Sequence, residues 1–182
     1  MTKLTERFKA PKLIIITSLL MFVFGCSTDI SEYKNTSPTL SLEQFFNGKL
    51  TAAGIVENYS GKVTRTFTVT MDASWQGNKG IIDEDFIFND GETQKRIWTI
   101  TNLGSGRYQG SAGDIIGIAT GQSEGNALRW KYDMSLVVDD ETYEVHFDDW
   151  MFLVDDNTII NRSDIKKFGI TVGRVILVIQ KT

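Results

Sequence analysis

Cysteine, histidine and proline are nearly missing from this 182-residue chain, and each scarcity removes a class of explanation. The single cysteine, Cys26, has no partner for an intramolecular disulfide, so burial of apolar surface must hold the fold together. The single histidine, His146, leaves no Cys/His cluster for a metal. It alternates outward with Glu144 and Asp148 and reads as a surface residue. No glycine-rich phosphate loop follows a strand, and no Ser/His/Asp set has supporting spacing. The sequence therefore points to no cofactor, no metal and no enzyme. Pro11 and Pro38 are the only prolines and both lie outside the apolar segments that follow, so those segments can run as uninterrupted strands. Positive charge is short as well. The net charge is −4, and residues 1–25 hold four basic residues against one acidic, which leaves the remainder more negative still. Nucleic-acid binding has no electrostatic support. No apolar run reaches the ~20 residues that a membrane-spanning helix needs.

What is present begins with a leader. Lys3, Arg7, Lys9 and Lys12 precede an apolar stretch, Leu13 to Phe24, broken only by Thr17 and Ser18. Gly25 then supplies a small side chain at a cleavage point, and Cys26 becomes the new N-terminus. The Val23-Phe24-Gly25-Cys26 stretch resembles the lipobox of bacterial lipoproteins, in which the cysteine thiol and amine are acylated. In such proteins an aspartate after the cysteine implies inner-membrane retention, so Ser27 implies the outer membrane. The expected layout is a signal peptide over 1–25, a polar tether over 26–40 and one domain over 41–182. The domain would be held to the outer membrane by its acyl chains and lie in the periplasm.

Ser41 to Phe46 has the makings of a short helix, with Gln44 at capping-box spacing from Ser41 and Gly48 to end it. So short a helix survives only by packing, which would set Phe45 and Phe46 as a plug in one end of a barrel. Beyond it the chain alternates. Arg65, Phe67, Val69, Met71, Ala73 and Trp75 share one face of a strand, with threonines, Asp72 and Ser74 on the other. Trp130, Tyr132, Met134, Leu136 and Val138 alternate in the same way. Period two of this kind means one wet face and one buried face. About nine strands follow: 48–60, 62–75, 80–88, 92–103, 107–121, 126–138, 142–154, 158–167 and 170–181. Short connections make this an all-β antiparallel up-and-down meander, and closure into a barrel removes its exposed edges. Gly110, Gly113, Gly117 and Gly121 lie along one segment, where they would let a long strand bend at barrel corners.

Turn geometry fixes which residues meet. Asn89-Asp90-Gly91 as a three-residue hairpin loop places Glu84 opposite Arg96, Phe86 opposite Gln94 and Ile82 opposite Trp98. On the outer face it sets Asp85 against Lys95. Gly104-Ser105-Gly106 as the next loop places Asp114 against Arg96. An arginine between two carboxylates inside a barrel has two readings. It is an ion network satisfied internally that fixes register, or it lies on a cavity wall and receives the polar end of an apolar ligand. The structural reading comes first, because buried ionisable groups are commonly paired for their own satisfaction. Tyr132 and Asp149 join this inward set, since the register carried from Val138 opposite Tyr143 turns Asp149 inward beside Tyr132.

That register sends Trp150 and Phe152 outward. Either a bulge at Asp148-Asp149 reverses the faces, or an apolar outer patch exists there. Arg162 on the next strand would stack on Trp150 or pair with an aspartate, forming a corner with Asp148. Ile176 and Val178 face away from Val175, Leu177 and Ile179, so the last strand needs cover on both sides.

Several stretches together resemble one family of Gram-negative lipoproteins, domain-of-unknown-function family 3833. They are Phe45-Phe46-Asn47-Gly48, Asp83-Glu84-Asp85-Phe86 with Asp90-Gly91, Arg96-Ile97-Trp98, Tyr108-Gln109-Gly110, Ala112-Gly113-Asp114, Gly125-Asn126-Ala127, Asp148-Asp149-Trp150-Met151, Asn161-Arg162 and Lys167-Phe168-Gly169. The resemblance implies a lipocalin-like (calycin) barrel on a membrane anchor and supplies no catalytic residues. The expected function is a binding barrel for a lipid or other small apolar molecule. The alternative is a filled barrel that acts as an envelope interaction protein through Trp150, Phe152, Ile176 and Val178.

Overall fold

The computed structural model describes residues 28–138 and 141–182. Cys26 and the signal peptide lie outside the described residues, as do Asp139 and Asp140. Ten antiparallel strands form the body: β1 (Gly48–Asn58), β2 (Val63–Gln76), β3 (Lys79–Phe88), β4 (Thr93–Gly104), β5 (Arg107–Ser111), β6 (Ile115–Glu124), β7 (Ala127–Val138), β8 (Glu141–Asp155), β9 (Thr158–Lys167) and β10 (Ile170–Lys181). Each pairs with its sequence neighbours, and β1 also pairs with β10, with Leu50 opposite Lys181 and Asn58 opposite Gly173. The barrel is closed, so no edge is left to template another chain. Alternation dictates the inside: Phe67, Val69, Met71 and Ala73 of β2 are buried while Thr66, Thr68, Thr70 and Asp72 are exposed.

One end of the barrel is plugged. Helix α1 (Leu42–Phe45) is a single turn that buries Leu42 and Phe45, with Phe46 beside them. The Phe45 and Phe46 rings meet edge to face with centroids 5.2 Å apart. Barrel residues fasten the turn. Trp75 Nε1 donates to the Phe46 carbonyl at 2.9 Å, Lys181 Nζ donates to the Gln44 carbonyl at 2.7 Å, and Glu43 accepts from Asn102 and from the Tyr108 hydroxyl. The capping box expected of Ser41 and Gln44 does not form. The Ser41 hydroxyl donates to the Glu43 side chain instead, and packing holds the turn.

Three expectations are corrected. Residues 107–121 are not one bent strand but the hairpin β5–β6, in which Arg107 faces Gln122 and Gly110 faces Ala119. Two of the glycines make room rather than bends. A Cβ on Gly121 would lie 2.0 Å from the Trp130 ring, and one on Gly110 would lie 2.8 Å from it. Gly117, at φ +74°, sits where β6 slips out of register with β7. Second, the β7–β8 connection is shorter than expected, so Leu136 rather than Val138 faces Tyr143, and Asp149 faces Trp130. The slip is two residues and every side chain keeps its face.

Third, the segment read as a tether lies on the barrel from Ile30 onward. Ile30–Tyr33 forms a 3-10 turn whose capping box is made by Asp29 and Glu32. Ile30 packs with Ala127 and Trp150, and the Tyr33 ring lies 5.7 Å from Trp150 and 5.5 Å from Phe152. Thr36 hydrogen-bonds Asn126, and the Leu40 amide donates to the Gly125 carbonyl at 2.8 Å. Gly125, at φ +53°, is required here, because a Cβ would fall 1.9 Å from the Tyr33 carbonyl oxygen.

Candidate ligand cavity

Opposite the plug, the barrel interior stays open as a cavity of about 930 Å³. Its floor is Leu42 and Phe46, and its rim carries Thr64, Arg65, Asp90, Glu92, Ser135 and Val137. The volume lies in the range of sites that enclose a drug-sized molecule, roughly 300–1,000 Å³. Aromatic rings supply much of the wall. Trp98 meets Trp130 and Tyr132 edge to face at 5.9 and 5.5 Å, and Tyr132 stacks on Phe147 at 5.0 Å. Across from them Phe67, Phe86 and Phe88 form a second cluster with centroids 5.6–6.2 Å apart.

The polar set assembles where turn geometry put it. Glu84 faces Arg96, Ile82 faces Trp98, and Gly91 takes the left-handed position of the turn with φ +86°. Outside the barrel, Lys95 Nζ lies 3.1 Å from Asp85 and 2.5 Å from Asp83. Inside, Arg96 gives Nε and Nη2 to one oxygen of Asp114 at 2.9 and 2.7 Å, a forked pair that leaves Glu84 at 3.9 Å from Nη1. Burial works against the Arg96 charge, and Glu84 and Asp114 more than offset it. Glu84 receives much less in return. Burial pushes its carboxyl up to about 7, Arg96 pulls it back, and Asp114 and Asp149 add to the rise. Asp149, 5% exposed, accepts from Asn161 and from the Ser163 hydroxyl, both on Oδ1. Burial still lifts it to about 6. Burial, with Asp149 second, holds the Tyr132 hydroxyl well above its ordinary range.

Of the residues expected at the interior, Glu84, Arg96, Trp98, Asp114, Tyr132 and Asp149 all line this one cavity. Gln94 and Arg65 follow from the inward face they share with Phe86 and Phe67, whereas Asn161, Ser163 and most of the rim were not anticipated as wall residues. The inward alternation of Ile159, Asn161, Ser163 and Ile165 on β9 carried the signal for two of them.

The corner differs from expectation in its partners. β7 and β8 pair without a register shift from end to end, so no bulge reverses the faces, and Trp150 and Phe152 point outward. They stack at 6.0 Å, yet Trp150 is only 6% exposed, because the chain's own Ile30 and Tyr33 cover it. Arg162 faces Trp150 across the strands but is exposed, and the aromatic ring is taken by Arg129, 4.9 Å from its centre. Arg129 and Lys166 both pair with Asp148 at 2.8 Å, and the Arg129 hydrogen bonds hold that carboxyl far below its usual range. His146 lies on the surface with Asp133 at 2.8 Å.

A closed antiparallel barrel, plugged at one end and hollow inside, defines the lipocalin-like class. Residues 20–181 match the family described as Protein of unknown function (DUF3833), and the chain belongs to that family. No curated protein matches the sequence. Among solved structures, the S-type phycobiliprotein lyase CPES from Guillardia theta superposes with a TM-score of 0.57 at 8% identity. The match covers 86% of this chain and 99% of the lyase chain. The likeness is one of fold.

Proposed function

We propose that this protein is a lipid-anchored binding barrel of the outer membrane, which holds a lipid or other small, largely apolar molecule in its interior without transforming it. The observation that carries the reading is the cavity of about 930 Å³, walled by aromatic and aliphatic side chains around a few convergent polar groups. A barrel of this size can fill itself with side chains or leave room for one ligand, and this one leaves room. The anchor rests on the basic leader, the apolar run and Gly25-Cys26-Ser27. The S-type lyase, by its description, acts on a phycobiliprotein, and that activity is no part of this reading.

Native mass spectrometry of the full-length protein, extracted from its host membrane in mild detergent, tests both parts. The expected spectrum shows a processed, acylated N-terminus at Cys26 and a non-covalent ligand that leaves on activation. A barrel that never carries a ligand, and does not take up an environment-sensitive apolar dye, would overturn the binding reading. The alternative of a surface-acting barrel keeps only part of its motivation: Ile30 and Tyr33 pack on Trp150 and Phe152, whereas Val178 is 40% exposed.

A further inference from the structure

The polar groups on the cavity wall are unequally satisfied, and the inequality has a sign. Arg96 is spent: its fork is closed on Asp114, and its remaining face looks toward Glu84. The acids are not. Glu84 accepts no hydrogen bond from the described residues and has only the long 3.9 Å contact, although just 14% of its side chain is exposed. Asp149 uses Oδ1 for both of its neighbours, so Oδ2 has no partner among the described residues. The Tyr132 hydroxyl likewise has none, and Tyr132 is 8% exposed. Deep in the cavity three carboxylates and one phenol surround the Arg96 guanidinium, with Gln94, Asn161 and Ser163 as neutral members, while at the rim a second guanidinium, Arg65, pairs with Asp90 and Glu92. Buried polar groups normally find partners. Deep in the cavity the unfilled carboxylate oxygens are acceptors and the Tyr132 hydroxyl can accept or donate, while the unpartnered donor, Arg65 Nε, lies out at the rim.

We infer that the ligand is an amphiphile with a cationic head, a protonated amine on an apolar body, and that Glu84, Asp149 and Tyr132 receive that head. The inference rests on the interior being a ligand site, and it narrows the class of ligand. An anionic head, such as a fatty-acid carboxylate, would have to displace Asp114 from Arg96 and then sit beside two further acids. A neutral alcohol could fill one acceptor but would leave the acids desolvated. An ammonium head supplies three donors and a positive charge to the same space. Burial raises the Glu84 and Asp149 carboxyls, Arg96 opposes the rise at both, and the neighbouring acids, Asp114, Asp149 and Asp83 at Glu84 and Asp148 at Asp149, add to it, which fits a pocket that takes a cation.

Three probes of one chain length separate the possibilities: decylamine, decanoate and decanol, each below its micelle concentration, titrated calorimetrically at pH 7.5. The amine is expected to bind about tenfold or more tightly than either of the others. Its binding should release protons, detected as a dependence of the heat on buffer ionisation, and weaken on moving to pH 5. In Glu84→Gln/Asp149→Asn the amine should lose its advantage while decanol binds as before. Decanoate or decanol binding as well as the amine would overturn the inference and leave the cavity reading intact. No binding by any probe would sink both. Should the double variant not fold, the wild-type ranking and its pH dependence still decide.

Discussion

Replacing Arg96 with methionine tests whether the interior ion network is as dry as its geometry implies. The substitution keeps length and apolar bulk while removing the charge. Asp114 then loses bonds at 2.9 and 2.7 Å, and Glu84 loses its nearest cation. With side-chain exposures of 15% for Arg96, 23% for Asp114 and 14% for Glu84, little solvent is at hand to replace them. Removing one partner of a buried pair costs about 3–5 kcal/mol. The cavity wets one side of this network, and Glu84 can take up a proton, so the expected loss at pH 7.5 is about 2–4 kcal/mol. At ~2–4 °C per kcal/mol for a chain of this size, the melting midpoint should fall by roughly 4–16 °C. Urea unfolding followed by tryptophan fluorescence measures the loss directly, since Trp98 and Trp130 line the same cavity. A triple variant, Glu84→Gln/Arg96→Met/Asp114→Asn, removes the charges together and should recover at least about half of the deficit, because whole-network replacement leaves no unpaired charge. A single variant within about 0.5 kcal/mol of wild type would refute the reasoning, since surface positions behave that way. So would a triple variant less stable than the single.

Acidity provides a second test: Glu84 at about 7 and Asp149 at about 6 hold their protons longer folded than unfolded. Their stabilisation is present at pH 4–5 and is lost as pH rises through 6 and 7, so urea midpoints should fall, by about 2–4 kcal/mol in total between pH 5 and 8, and Glu84→Gln should flatten the slope. A midpoint that rises over this range would contradict the burial of both groups. Gly121→Ala sets a Cβ 2.0 Å from the Trp130 ring and should cost about 1–3 kcal/mol in a urea melt, whereas Gly113→Ala, with nothing within 4 Å, should change stability by less than about 0.5. Equal effects at the two glycines would show that Trp130 does not lean on β6. Trp150→Ala removes the ring under Ile30 and Tyr33 and should make residues 28–40 the first site of limited proteolysis, with the barrel intact; unchanged protection would mean that Thr36 and Leu40 hold the segment alone.

Much of the barrel was legible because its constraints are local. A three-residue loop ending in Gly91 fixes the β3–β4 register, and period two then assigns Glu84, Arg96 and Trp98 to the interior without any knowledge of the rest. Even the two-residue slip at the β7–β8 turn left Asp149 inward, since parity survives an even shift. The glycines of β5 and β6 were misjudged because two different needs, a turn and the flat side of an indole, leave the same letter in the sequence. Nothing local announces that Trp130 will lie against residues 110 and 121. The fate of Trp150 was hidden for the same reason: its cover comes from residues 30–33, more than a hundred positions away. Cavity volume is further out of reach, since it depends on how every inward side chain packs.

On the anchored reading proposed above, the docking of residues 30–40 shortens the leash on the whole molecule. Fifteen free residues could carry the barrel ~50 Å from an acylated Cys26, but once Ile30 is seated beside Ala127 only four peptide steps remain, ~14 Å at full stretch. On that reading a body so closely tied could not roam far from its membrane. Under the same proposal, any cargo it takes would have to be collected within arm's length of the bilayer.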